Sequence, residues 1–259
     1  MKSLFEKLFK ANYFIYWLIV FMIISSETIL AFVSISIGVI IYLTILISLL
    51  ITALIKYQKP SYQLFSALTL IPLIRIISVS LPMTGLTEVL GIVAVSVPLF
   101  ITGVLIVKIV SITPAAMGFR IKNLHIQLLI ALLGLPLGFI KFFMLQPDIK
   151  YISVAPVKIL IWVIVLIICV GLLEEFIFRG IIFSVVHRFL GYKKTIIITS
   201  LLYAALAISS KSLLNVIYAF LISILFCQIF IWKESIVGIS LAHGIINITF
   251  YLICPHIFS

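Results

Sequence analysis

Acidic residues are scarce in this chain: seven Asp and Glu among 259 residues, against 18 Lys and Arg. Charged residues of both signs make up 10% and hydrophobic residues 64%, whereas soluble globular domains carry about 25% charged and ~45–50% apolar residues. At a mean hydropathy of +1.42 there is too little polar surface to face water, which excludes a soluble globular fold. Cysteine is also sparse. Cys169, Cys227 and Cys254 are scattered through apolar sequence, with neither a metal-ligand spacing nor a disulfide framework, and read as small apolar fillers. The net charge of +11 would suggest nucleic acid in a soluble chain. Here the basic residues fall between apolar runs, so they are assigned to topology and to contact with anionic headgroups of the lipid bilayer, with no nucleic-acid partner.

What the chain does have is long hydrophobic runs. A membrane helix takes about 20 residues, so nine would use ~180 and leave ~80 for connections. The runs are Ala11–Ser26, Ile29–Ile55, Tyr62–Leu81, Val89–Ile112, Leu124–Leu145, Ala155–Phe189, Thr195–Ile208, Leu213–Ile231 and Ser235–Cys254. They predict an all-α, polytopic integral membrane bundle of about eight or nine transmembrane helices, eight if the first two runs form a hairpin that does not fully span. Lys2, Lys7 and Lys10 precede the first run as in a signal peptide, but no small-residue cleavage pattern follows, so the run is read as a retained span. The sixth run is too long for one simple span and is expected to carry polar groups at depth and leave along the interface.

Lys2, Lys7, Lys10, Lys56, Lys59, Lys108, Arg120, Lys122, Arg188, Lys193, Lys194 and Lys233 fall on one side of a nine-span layout. Lys141, Lys150, Lys158 and Lys211 fall on the other. This bias predicts a cytoplasmic N-terminus, in the plasma membrane if the organism is prokaryotic. The chain divides into residues 1–150, transmembrane helices without a motif, and residues 151–259, where the polar constellations lie.

Of the acidic residues, Glu6, Glu27, Glu88, Asp148 and Glu234 are read as lying near run ends or in loops. Glu174 and Glu175 stand inside LLEEFIFRGIIF, where an ionisable group costs ~3 kcal/mol or more near the bilayer centre and faces a cavity or a partner. Glu175 and Arg179 are at i and i+4, on one face, and can pair. Glu174 points about 100° away and has no local partner, which suits a proton acceptor. A packing network or a pore lining fits the same three residues. His243 and Asn247 form a second i, i+4 pair, beside Ala242 and Gly244, able to stabilise an oxyanion or to hydrogen-bond between helices. His125, His187 and His256 are read as interfacial. Arg75 is free to snorkel or to pair with an acid, and Gly134 and Gly138 are read as helix packing.

Together these residues resemble the CAAX protease and bacteriocin-processing (Abi) family of intramembrane endopeptidases. That family carries Glu-Glu-x-x-x-Arg, Phe-x-x-x-His and His-x-x-x-Asn on successive core helices. The first motif stands as Glu174, Glu175 and Arg179, followed by Gly180, and the third as His243 and Asn247; the resemblance covers roughly residues 160–252. At the second motif, SLLYAALAIS has Tyr203 at the aromatic position and Ala207 where the family has His. The resemblance implies Glu174 as general base, His243 and Asn247 on the tetrahedral intermediate, and Glu175–Arg179 as a structural ion pair. It implies a membrane-associated peptide or protein as substrate. No cofactor is expected. Zinc stays open, although Glu174 and His243 are two ligands where a protein site usually supplies at least three. Three readings follow: an endopeptidase with an incomplete motif; a catalytically silent relative acting as a peptide-binding, immunity or scaffold protein; and a transporter in which Glu174, Arg75 and His243 form a relay. The site is expected to open toward the cytoplasmic half of the bilayer.

Overall fold

Inside hydrocarbon no water is available to backbone N–H and C=O groups, so apolar runs of this length must satisfy them within their own segment. The computed structural model describes residues 2–81, 84, 86–121, 123–147 and 156–258, with side chains from Phe14 onward. Among the described residues every regular element is helical, and eight helical stretches are long and apolar enough to cross a membrane. The chain is an integral membrane protein of the all-α, polytopic class.

We label the helices α1 (Lys2–Phe32), α2 (Ile35–Ile55), α3 (Tyr62–Ser80, jointed at Thr69), α4 (Glu88–Val110) and α5 (Leu124–Leu145, jointed at Leu133). The sixth stretch, Pro156–Ser210, is 55 residues long. It is broken at Gly191, whose φ of 69° and ψ of 172° are not helical. Residues 156–190 are therefore α6 and residues 192–210 are α7. In a straight rod, Phe178 and Tyr203 would stand ~37 Å apart. Their rings meet at 5.0 Å, so α7 turns back along α6. α8 (Leu213–Lys233) and α9 (Val237–Phe258) complete the bundle, giving nine rods among the described residues.

Two details differ from expectation. The first span does not stop at Ser26: α1 runs on to Phe32. Glu27 lies inside it, fully buried, where its carboxylate accepts from Arg75 Nε (2.6 Å) and Tyr42 Oη (2.7 Å). A carboxylate neutralised this way need not mark a helix end. The turn comes instead at Val33 and Ser34, with Ser34 capping α2. The expected division at 150/151 lies outside the described residues, as do Lys122, Asp148 and Lys150, and the side chains of Lys2, Glu6, Lys7 and Lys10.

The core is built in two parts. Ile23, Tyr42, Leu68 and Ile71 of α1–α3 pack with Phe178, Ile181 and Leu202 of α6 and α7. Phe226, Cys227, Ile239, Ala242 and Ile246 form a second cluster in α8 and α9. Gly134 and Gly138 lie against α9, at Ala242 O and at Thr249, as the spacing of small residues implied. Large aliphatic residues on the outside, such as Ile47, Ile101, Leu129, Leu160 and Leu221, form the face expected toward lipid.

The connections sort into two ends. Arg188 donates to Gln63, Tyr62 Oη to Ile109 O, Ser184 Oγ to Ala116 O, and Arg120 pairs with Glu234 at 3.0 Å. The α2–α3, α4–α5, α6–α7 and α8–α9 connections thus meet at one end. It also carries Lys56, Lys59, Lys108, Lys193, Lys194 and Lys233. The α3–α4 and α7–α8 connections lie at the other.

Candidate active site

The middle of α6 is wound unusually. Leu166–Leu172 and Phe176–Phe183 are π-helical, with Leu173–Glu175 between them. Widened turns of this kind occur often at functional sites, because they release carbonyls and re-aim side chains. The single O–H of Ser96 in α4 is shared between Ile92 O and Cys169 O, and that of Ser184 between Ala116 O and Arg179 O, so each serine lies within reach of a carbonyl of a widened segment. The backbones of α6 and α9 meet at Gly171. A Cβ there would stand 2.5 Å from Ser240 O and 2.7 Å from Gly244 N.

That approach brings the two polar pairs together. Arg179 and Glu175 are fully buried and paired at 3.0 Å. Arg179 Nη2 also donates to Ser223 O (3.1 Å) and Ser223 Oγ (2.9 Å) of α8. Its guanidinium carbon lies 5.2 Å from the Tyr203 ring centre and 5.6 Å from that of Phe226. His243 Nδ1 lies 2.9 Å from Glu175 Oε1. A carboxylate paired with Arg179 can only accept, so Nδ1 carries the proton of that bond. Glu175 therefore does more than offset Arg179: it also fixes the His243 ring. In neutral His243 the remaining nitrogen, Nε2, is a lone pair facing the cavity, 3.7 Å from Glu174 Oε2 and 3.5 Å from Tyr203 Oη.

Glu174 is unlike its neighbour. Its side chain keeps 37% of its surface, against none for Glu175, and that surface opens on a cavity of about 870 Å³. Glu174, His243, Asn247, Tyr203 and Ala207 all line this cavity, so every site residue read from the sequence except the buried ion pair reaches it directly. Ala207 begins a 3₁₀ turn at the end of α7 and presents only a methyl group. The end of α7 is held from the N-terminal half: Arg75 Nη2 donates to Leu206 O (2.7 Å) and Ser209 Oγ (3.2 Å) while its Nε pairs with Glu27. Arg75 borders the cavity, but these bonds commit it, and a relay through it to Glu174 loses its basis.

Two residues were missed. Lys141, within the run Leu124–Leu145, is counted by sequence with the basic residues of the side opposite the N-terminus. It lies inside α5, its Nζ donating to Asn247 Oδ1 at 3.2 Å and standing 4.7 Å from the Phe250 ring centre, and it lines the cavity. Asn247 Nδ2 donates to His243 O at 3.3 Å, so the amide is oriented from both ends. The apolar run around Lys141 gave no sign of inward placement; the small residues Gly134 and Gly138, one to two turns earlier and facing α9, were the signal available. The second group beyond the sequence reading is the Tyr203 hydroxyl, since the motif assigns Tyr203 only an aromatic position. His187 stacks between Phe183 and Tyr192 at the basic end, away from this cavity.

The cavity's rim also departs from expectation. Ser78, Leu86, Thr87, Glu88 and Asn215 line it, at the α3–α4 and α7–α8 end, with Thr87 and Glu88 exposed. The opening is thus at the end poor in Lys and Arg, not the basic end that the positive-inside rule assigns to the cytoplasm. At the basic end the α4–α5 and α8–α9 connections are tied to each other instead, Ile236 N donating to Gly118 O at 3.0 Å.

Zinc fits this donor set poorly. Among the described residues no three His, Cys, Asp or Glu side chains are placed to hold a metal ion together; His243 Nδ1 and Glu175 are bound to each other, which leaves Glu174 and His243 Nε2 where a catalytic zinc site takes three protein ligands.

Residues 156–249 match the family described as type II CAAX prenyl endopeptidase, Rce1-like. The match covers just over a third of the chain and contains Glu174, Glu175, Arg179, Ala207, His243 and Asn247. It agrees with the resemblance carried by the motifs. No curated protein and no solved structure matches the chain.

Proposed function

We propose that this protein is an intramembrane endopeptidase that hydrolyses a membrane-associated peptide with a glutamate-activated water. The observation that carries the reading is the convergence of Glu174, His243 and Asn247 on one cavity within a transmembrane bundle. Glu174 is the carboxylate with room for a water and takes its proton as the oxygen attacks the peptide carbonyl. Glu175 and Arg179 hold the framework, and Glu175 fixes the His243 ring. Asn247, with Lys141 behind it, places N–H dipoles and a positive charge where negative charge develops on the carbonyl oxygen. The proton on Glu174 then passes to the departing nitrogen. Leu86, Ile92, Val95, Trp162 and Leu166 make the remaining lining apolar, suited to a hydrophobic segment.

Orientation bears on the substrate. Setting aside Lys141, which lines the cavity, leaves twelve Lys and Arg on one side against three on the other, which supports a cytoplasmic N-terminus and a cavity facing away from the cytoplasm. The substrate then presents its cleavage site at the outer half of the bilayer. The test is full-length protein in lipid vesicles with membrane-anchored peptides, products being identified by mass. Cleavage by the wild type that Glu174→Gln abolishes is the expected result; cleavage unchanged by Glu174→Gln sinks the mechanism.

One observation favours a second reading. The Ala207 methyl lines the cavity where the family carries an imidazole, and a peptide-binding protein without turnover would keep the cavity while losing that group. Peptide capture without any product, in wild type and in Ala207→His, is its signature.

A further inference from the structure

With Nδ1–H held by Glu175 at 2.9 Å, the neutral form of His243 has no N–H left to offer the cavity. Asn247 Nδ2 already spends one of its N–H groups on His243 O, which leaves room for a second donor to a developing oxyanion. The Tyr203 hydroxyl lies 3.5 Å from Nε2. This is a long and weak bond; the hydroxyl also faces the Glu174 carboxylate as a hydrogen-bond partner, an acceptor that weakens once Glu174 takes the proton of the attacking water, so the O–H can turn to a charged oxygen. The ring itself is fixed. It stands edge-on to Phe178 at 5.0 Å and 86° and under the Arg179 guanidinium at 5.2 Å. The hydroxyl therefore points into the cavity from a rigid mount, one helical turn before Ala207 and on the same face.

We propose that Tyr203 is a catalytic residue whose O–H donates to the carbonyl oxygen in the transition state; this rests on the endopeptidase reading above. As water attacks, its proton goes to Glu174, the new C–O bond forms, and the carbonyl π pair moves onto the oxygen. Tyr203 turns its O–H from His243 Nε2 to that oxygen and keeps its proton. On collapse the carbonyl re-forms, the C–N bond breaks, and the Glu174 proton goes to the nitrogen. A preorganised neutral donor in a water-poor cavity acts on charge that appears only in the transition state, which is where such a bond counts most.

Tyr203→Phe is the discriminating variant, since it keeps the ring, the Phe178 contact and the guanidinium contact and removes one hydroxyl. The experiment uses full-length protein in phosphatidylglycerol and phosphatidylethanolamine vesicles, with Glu174→Gln in both arms to stop turnover. The probes are a fluorescent apolar hexapeptide and the same peptide with one amide replaced by an anionic phosphonate, read by anisotropy. With Tyr203 present, the phosphonate should bind more tightly than the parent, and Tyr203→Phe should reduce that preference by about 10-fold or more, the scale of a hydrogen bond to a charged group. Parent affinity should stay within about 2-fold, since an uncharged carbonyl gains little from the bond. Retained preference in Tyr203→Phe, no preference in the Tyr203 protein, or equal loss of both ligands overturns the inference and leaves the endopeptidase reading standing. Binding of neither probe to the Tyr203 protein overturns both.

Discussion

Glu174 and Glu175 are adjacent in sequence and differ in surroundings, and their substitutions should separate accordingly. Glu175 meets Arg179 and His243 with no exposed surface. Glu175→Ala strands a buried guanidinium, a change that costs ~3–5 kcal/mol when one partner of a buried pair is lost. Thermal unfolding in detergent should show a large drop for Glu175→Ala and almost none for Glu174→Gln, whose side chain faces the cavity. Equal drops would refute the assignment. Lys141→Met tests the charge behind Asn247. An apolar chain of similar length suits the Phe250 and Tyr251 faces, and exchanging a buried charge for a hydrophobe is often neutral or stabilising. Stability should hold while kcat falls about 10²-fold, the scale of one lost oxyanion donor. An unchanged kcat would show Lys141 to be packing alone.

At the scale of helices, the site depends on how closely α6 and α9 approach and on where α7 turns. A Cβ on Gly171 meets backbone atoms of Ser240 and Gly244 that cannot swing aside. Gly171→Ala must therefore push Glu174 and Glu175 away from His243. Displacements near 1 Å cost about 10²-fold in rate, so cleavage should fall by that order. Gly180→Ala is the control, because its new methyl would find its nearest neighbour at 3.5 Å; similar activity in the two variants would contradict the close-contact argument. Gly191 makes the α6–α7 corner at φ 69° and ψ 172°, a region that is essentially glycine-only and costs other residues about 1–3 kcal/mol. Gly191→Ala should lower the melting temperature although nothing lies within 4 Å of its added methyl, and an unchanged melting temperature would count against that strain.

For the molecule as a whole, the N-terminal helices do more than thicken the bundle. Through Glu27, Tyr42 and Arg75 they fix Leu206 and Ser209, and so the position of Ala207 at the cavity wall. The two ends of the bundle should also label differently. Single cysteines at Tyr57 and Tyr192, both exposed, belong to the basic end, whereas one at Thr87 belongs to the cavity end. An impermeant thiol reagent applied from outside intact cells should reach position 87 and leave 57 and 192 unlabelled. Labelling of 57 and 192 instead would reverse the orientation, and labelling of all three would break the two-ended layout.

Composition and run length alone determined the membrane bundle, because hydrocarbon leaves the backbone no alternative to helices at this apolarity. Local spacing determined the Glu175–Arg179 pair and the shared face of His243 and Asn247, since i and i+4 neighbours meet on any helix. Tertiary structure alone decided the rest, because it turns on contacts between residues far apart in the chain. Glu27 looked like a span boundary until Arg75, 48 positions away, neutralised it. Lys141 is one more basic residue of its side until α5 packs on α9 and sets it against Asn247, 106 positions away. The tautomer of His243, the place of the Tyr203 hydroxyl and the end at which the cavity opens all follow from the approach of α6, α7 and α9, a distance that no periodicity in the sequence encodes.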